Sequence, residues 1–263
     1  MATIDLNGSL LRVRCDGERS RPTVVLSNSL GTDLSMWDAQ AAVLATRFHV
    51  VRYDTRGHGG SVGASSALHG PCTIELLGRD VLALLDHLDI ERAHLVGLSM
   101  GGVIGQWLGA HAPDRLHKLV LANTAARIGT EQGWRARAEA VRAEGMHEIA
   151  AGAPGRWFTP AFVARQPVVV GLMQKTLRGL HPEGYAACCE ALAVADLSED
   201  VRRIVSPTLV IAGAHDPVTT VLDAQALAEA IPDAALATLP ASHLSNIETP
   251  DRFTDLVATF LSA

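Results

Sequence analysis

Cysteine is scarce in this sequence: four residues in 263, at positions 15, 72, 188 and 189. Their spacing matches neither a zinc site nor the disulfide framework of a small secreted domain, so they read as core or surface thiols. Basic charge is also short, with 22 Lys and Arg against 28 Asp and Glu, a net charge of -6. That deficit excludes the cationic footprint of a nucleic-acid or anionic-membrane binder; an anionic ligand must be met by local cations. No run is long and apolar enough to read as a membrane span. Residues 93–113 lack Asp, Glu, Lys and Arg but contain five glycines, Ser99, Gln106 and two histidines. This is a poor lipid-facing helix and a good buried strand, turn and helix in succession. The opening MATIDLNGSL lacks both a basic and an apolar leader region, so a cytoplasmic protein is expected. No His-Glu-x-x-His or comparable spacing points to a metal.

What is present is an alternation of short apolar runs with helical periods. TIDL and SLLRVR flank Asn7-Gly8, the signature of a two-residue hairpin. Residues 23–27, 48–54, 93–97, 117–123 and 207–213 then read as strands apolar on both faces, suited to a sheet covered on both sides. Ile74, Leu77, Val81, Leu84, Leu85 and Leu88 mark one helical stripe. Phe253, Leu256, Val257, Phe260 and Leu261 mark another, opened by Thr249-Pro250. This order predicts an α/β fold: a mostly parallel doubly wound sheet with an N-terminal antiparallel hairpin, and ligands beyond the carboxyl ends of its strands. Residues 125–195 break the rhythm with helical stretches, Trp134, Trp157 and many arginines. They are too long for a plain loop and are expected to form an inserted helical cap on a core of residues 1–124 and 196–263.

The sharpest chemical signal is Gly97-Leu98-Ser99-Met100-Gly101, after a strand and before a helix. In a G-x-S-x-G elbow the glycines allow close backbone approach and the serine is pushed out at the sheet edge. A phosphate cradle would need a following Lys, which is absent. Serine becomes a nucleophile when a base takes its proton and a carboxylate orients that base. Asp216, after the strand ending at 213, and His243, after ALATLP, follow in the required order. His215 is the rival base, but it directly precedes the acid and is expected to face away from it. The slot after the preceding strand holds Asn123-Thr124 and no carboxylate. Oxyanion donors are expected from the backbone N–H groups of Met100 and Leu30.

These residues resemble the α/β-hydrolase superfamily across the chain, with 53–61 (YDTRGHGGS) matching its loop after the third core strand. Residues 26–38, 97–109, 119–130 and 156–162 are more closely similar to the 3-oxoadipate enol-lactonases of bacterial aromatic catabolism. The resemblance implies hydrolysis of a small anionic enol-lactone through an acyl-enzyme, without a cofactor. One departure stands out: the oxyanion loop reads Asn28-Ser29 where many esterases carry His-Gly. The substrate carboxylate needs a cation, and 125–195 offers Arg127, Arg135, Arg137, Arg142, Arg156, Arg165, Lys175 and Arg178. Trp134 and Arg137, three apart on one helix face, form either an aromatic wall beside a guanidinium or a solvated surface; Trp157 is a second wall candidate. A C–C hydrolase, a broad carboxylesterase and a non-catalytic ligand receptor are the alternative readings.

Overall fold

The computed structural model describes residues 1–6, 9–61 and 71–263; the expected Asn7-Gly8 turn lies outside them. The strands are β1 (Ala2–Leu6), β2 (Ser9–Asp16), β3 (Thr23–Ser27), β4 (His49–Tyr53), β5 (Ala93–Leu98), β6 (Leu116–Ala122), β7 (Thr208–Gly213) and β8 (Ala235–Leu239). The helices are α1 (Asp38–Leu44), α2 (Ile74–His87), α3 (Met100–His111), α4 (Glu131–Glu144), α5 (His147–Ala151), α6 (Ala153–Trp157), α7 (Pro160–Arg165), α8 (Pro167–Arg178), α9 (Pro182–Val194), α10 (Val221–Ala230), α11 (Ser245–Glu248) and α12 (Pro250–Ser262).

The eight strands form one sheet in the order β1-β2-β4-β3-β5-β6-β7-β8. β1 and β2 pair antiparallel, with Leu6 opposite Ser9, and β2 pairs antiparallel with β4; every later pairing is parallel. Strands β3, β4, β5 and β7 are buried along their whole length. Their largely apolar sequences, interrupted by His49 and Arg52 in β4 and His94 in β5, follow from helices covering both faces. The edge strand β1 alternates exposed and buried positions instead. The helical stripes fill the outer layers: Ile74, Leu77, Val81, Leu84 and Leu85 of α2 are buried, as are Phe253, Val257 and Leu261 of α12. One local detail departs from expectation. Pro250 does open α12, but the Thr249 hydroxyl donates back to Ser245 O (3.0 Å) and caps no amide of α12.

This topology positions the chemistry. Parallel strands end on the same side of the sheet, so the segments after β3, β5, β6, β7 and β8 gather at one edge. They carry Leu30, Ser99, Asn123, Asp216 and His243. Helices α4 to α9 all fall between β6 and β7 in the chain, with no strand among the described residues of that interval.

Candidate active site

Ser99 sits between β5 and α3 with φ 56° and ψ -116°, a left-handed conformation that costs a non-glycine residue roughly 1–3 kcal/mol. Three hydrogen bonds hold it there: Ser99 N–H donates to Ala122 O (2.9 Å), and Ser99 O accepts from the Thr124 hydroxyl (2.9 Å) and from Val103 N–H (3.0 Å). The flanking glycines are required by close approach. A Cβ on Gly97 would lie 2.1 Å from Gly101 O, and one on Gly101 would lie 2.1 Å from Ser27 O. The tight turn therefore presses β5, α3 and the end of β3 together, leaving the serine side chain at the cavity wall.

Asp216 and His243 are in contact, Nδ1 to Oδ2 at 2.8 Å, with both side chains buried. The carboxylate is saturated with donors. Oδ1 accepts from the N–H groups of Val218 (2.8 Å) and Thr219 (3.1 Å), and Oδ2 from the Thr219 hydroxyl (2.8 Å) and Asn123 Nδ2 (3.0 Å). Burial alone would raise the Asp216 carboxyl; the hydrogen bond and charge of His243, with Asn123 and the Val218 N–H, outweigh it and hold the group below the usual carboxylate range. An ionised acid accepting from Nδ1 leaves His243 Nε2 as the free nitrogen. His215 is exposed.

Asn123, noticed in the sequence only as a missing acid, has a structural task. Held at φ 45°, it donates to Asp216 Oδ2 and to Ser242 O (3.1 Å) and accepts from the Ser245 hydroxyl (2.5 Å). It braces the acid and both flanks of His243. Glu248 is a further buried clamp, accepting from Ser242 N–H (2.9 Å) and from the Thr159 hydroxyl, while Leu244 N–H donates to Trp157 O (3.0 Å).

Met100 is the first residue of α3, so its amide has no acceptor within the helix. The amides on either side of Leu30 are committed, Ser29 N–H to Met36 Sδ (3.4 Å) and Gly31 N–H to His58 Nε2 (3.1 Å). For the Leu30 amide there is no acceptor among the described residues.

Ser99, Leu30 and His243 line one cavity of about 390 Å³ together with Trp134, Arg137, Arg156, Trp157, Leu177, Tyr185 and Val218. All three candidates from the interval 125–195, Trp134, Arg137 and Trp157, therefore face it. The Arg137 guanidinium lies 4.8 Å over the Trp134 ring, a cation–π stack. Sequence reasoning singled out neither Tyr185 nor Arg156 from its neighbours. Ion pairing separates the arginines: Arg127 pairs with Asp196, Arg135 with Glu131, and Arg142 with Glu183 and Glu190. Arg137, Arg156, Arg165, Lys175 and Arg178 form no such pair among the described residues, and of these five Arg137 and Arg156 line the cavity. Burial, then the neighbouring Arg137 charge, lowers the Arg156 guanidinium from its usual value, and it donates to Ile149 O (2.9 Å). Two adjacent cations without an acid give the cavity an unmet demand for an anion.

Residues 24–256 match the alpha/beta hydrolase family. The chain belongs to that family. Among relatives of this hydrolase, 3-oxoadipate enol-lactonase 2 of Acinetobacter baylyi is 51% identical, covering 92% of this chain and 89% of its own. 3-Oxoadipate enol-lactonase 1 of the same organism is 43% identical over 97% of this chain and 94% of its own. The crystal structure of the enol-lactonase from Burkholderia xenovorans LB400 superposes on this hydrolase with a TM-score of 0.96 at 48% identity, covering all of both chains. Among the described residues no helix is long and apolar enough to cross a membrane, and no group of three or more His, Cys, Asp or Glu is arranged to hold a metal ion.

Proposed function

We propose that this hydrolase opens 3-oxoadipate enol-lactone to 3-oxoadipate through an acyl-enzyme on Ser99. The observation that carries the reading is the pairing, in one cavity of about 390 Å³, of Ser99 and His243 with two arginines that lack an acidic partner. A small lactone bearing one carboxylate uses both. The high identity to two named 3-oxoadipate enol-lactonases supports the same substrate.

In this mechanism His243 Nε2 takes the Ser99 proton as Oγ attacks the ring carbonyl. The Leu30 and Met100 amides receive the oxyanion, a contribution that elsewhere reaches about 10²–10³ in rate per donor. Collapse breaks the ring C–O bond and leaves an acyl-Ser99 ester whose tethered enolate takes the proton held by His243 and becomes the ketone, which returns the imidazole to its neutral form. An enolate is a better leaving group than an alkoxide, so the heavier demand on His243 falls in deacylation, when it activates water against the acyl ester. Asp216 stays ionised, holds the tautomer and stabilises the imidazolium. Arg137 and Arg156 hold the substrate carboxylate, with Trp134 and Trp157 as walls. Residues 125–195, the six helices α4 to α9, serve as the cap over a core of 1–124 and 196–263. No cofactor takes part.

The test is loss of the lactone's ultraviolet absorbance with purified protein. Turnover that is abolished in Ser99→Ala and exceeds that on p-nitrophenyl esters is expected; turnover no better than on those esters contradicts the reading.

A further inference from the structure

The proposed oxyanion loop rests on a side chain that the mechanism above does not use. His58 is completely buried, and its Nε2 accepts from Gly31 N–H at 3.1 Å. Gly31 directly follows Leu30, which lines the cavity and whose amide has no acceptor among the described residues. The loop bearing His58 is itself fixed at several points: His58 N–H donates to Thr55 O (2.8 Å), Ser61 N–H to His58 O (2.8 Å), and Gly60 N–H to Asp54 Oδ2 (2.7 Å). Behind it the imidazole lies against Tyr185 of α9, ring centroids 6.3 Å apart, and Tyr185 lines the cavity. Gly31, at φ 85°, is pressed against the same helical layer, where an added Cβ would lie 2.8 Å from Leu177 and 3.3 Å from Tyr185.

We infer that His58 is a positioning residue for the oxyanion hole: by accepting the Gly31 amide it fixes the peptide that aims the Leu30 N–H into the cavity. The inference rests on the assignment of Ser99 as nucleophile and Leu30 as donor. A backbone donor serves a developing oxyanion only within a few tenths of an ångström of 2.7–3.1 Å, and a loop containing a left-handed glycine has little stiffness of its own. The neighbouring amide is therefore the economical place to hold it. The arrangement also dictates protonation. Nε2 accepts, so the proton is on Nδ1, which faces Arg56 O at 3.3 Å. Burial pushes this imidazole down to about 4, which keeps the acceptor nitrogen free at neutral pH.

Two measurements decide the matter. The first is the rate at which a fluorophosphonate labels Ser99 in the wild type, His58→Leu and His58→Gln, with melting temperature and affinity for a planar carboxylate inhibitor recorded alongside. Glutamine places a carbonyl oxygen near the Nε2 position. Labelling slowed about 30-fold or more in His58→Leu, restored to within about tenfold of wild type in His58→Gln, with carboxylate affinity changed less than about threefold, is the expected result. Equal labelling of His58→Leu and wild type, or equal loss of labelling and carboxylate affinity, overturns the inference. The second is the imidazole nitrogen spectrum of the wild type near pH 7, which needs no variant to fold. An Nδ1–H tautomer with Nε2 as acceptor is expected, and an Nε2–H tautomer overturns the inference. A wild type that fails to label at Ser99 strikes instead at the nucleophile assignment, which the tautomer does not touch.

Discussion

At the scale of single residues, the triad assignment depends on one carboxylate with five donors. Replacing Asp216 with Asn keeps most of the shape but supplies an amide toward Nδ1 in place of an acceptor, inverting the His243 tautomer. A loss of kcat of roughly 10³–10⁴ with little change in KM is expected; a loss below tenfold would place the working acid elsewhere. The arginine assignment yields a different signature. Arg137→Ala removes a charge-assisted hydrogen bond of about 1.5–3 kcal/mol, or about 10–150-fold in binding. KM for an anionic lactone should rise by that factor while kcat/KM for a neutral aryl ester stays within about threefold, and steady-state kinetics on the two substrates read the difference. These two assignments were unequally legible. Ser99, Asp216 and His243 announce themselves by local motif and order because each must follow a strand. Asn123 and Arg156 do not: what distinguishes Asn123 is a pair of contacts to residues 93 and 119 positions away, and what distinguishes Arg156 from Arg165 and Arg178 is its place in the cavity wall.

At the scale of the element, the β5–turn–α3 unit is set by glycines whose hydrogens are the only atoms that fit. Gly97→Ala and Gly101→Ala each drive a Cβ to 2.1 Å from backbone oxygen, and backbone cannot step aside as a side chain does. Each is expected to destabilise by about 3 kcal/mol or more, a fall of roughly 6–12 °C in Tm. Gly171, in the middle of α8, is the contrast: nothing lies within 4 Å of an added Cβ, so Gly171→Ala should raise stability by about 0.5–1 kcal/mol. Calorimetry on the three variants distinguishes a packing-enforced elbow from a glycine-tolerant one; similar Tm values for all three contradict it. Helix starts were less readable than these strands, as Thr249 shows by donating to Ser245 O within reach of its own turn.

At the scale of the whole molecule, the buried histidines set an acid limit. Burial holds both His58 and His94 down to about 4, against an ordinary value of 6.5. Between those values the unfolded chain takes up protons that the folded chain refuses, so stability is full above about pH 6.5 and falls progressively toward pH 4. Asp216, lowered in the fold, adds stability that is lost only further into acid. Tm should therefore decline steadily from pH 6.5 to 4.5, and a flat profile there contradicts the burial of neutral imidazoles. The doubly wound sheet and its order of chemical groups were legible because strand patterning and chain order dictate them. The cavity was not, because it is enclosed by side chains from α4, α6, α8 and α9 whose packing has no local period. Its charge is the molecule's main functional contrast: a protein of net charge -6 that keeps two unpaired guanidinium groups in one pocket. The most direct test is the ratio of kcat/KM for 3-oxoadipate enol-lactone to that for its neutral methyl ester. A preference for the free acid of about 100-fold or more, collapsing in the Arg137→Ala and Arg156→Ala variants, is the expected result; equal rates, or preference for the neutral ester, would contradict the account.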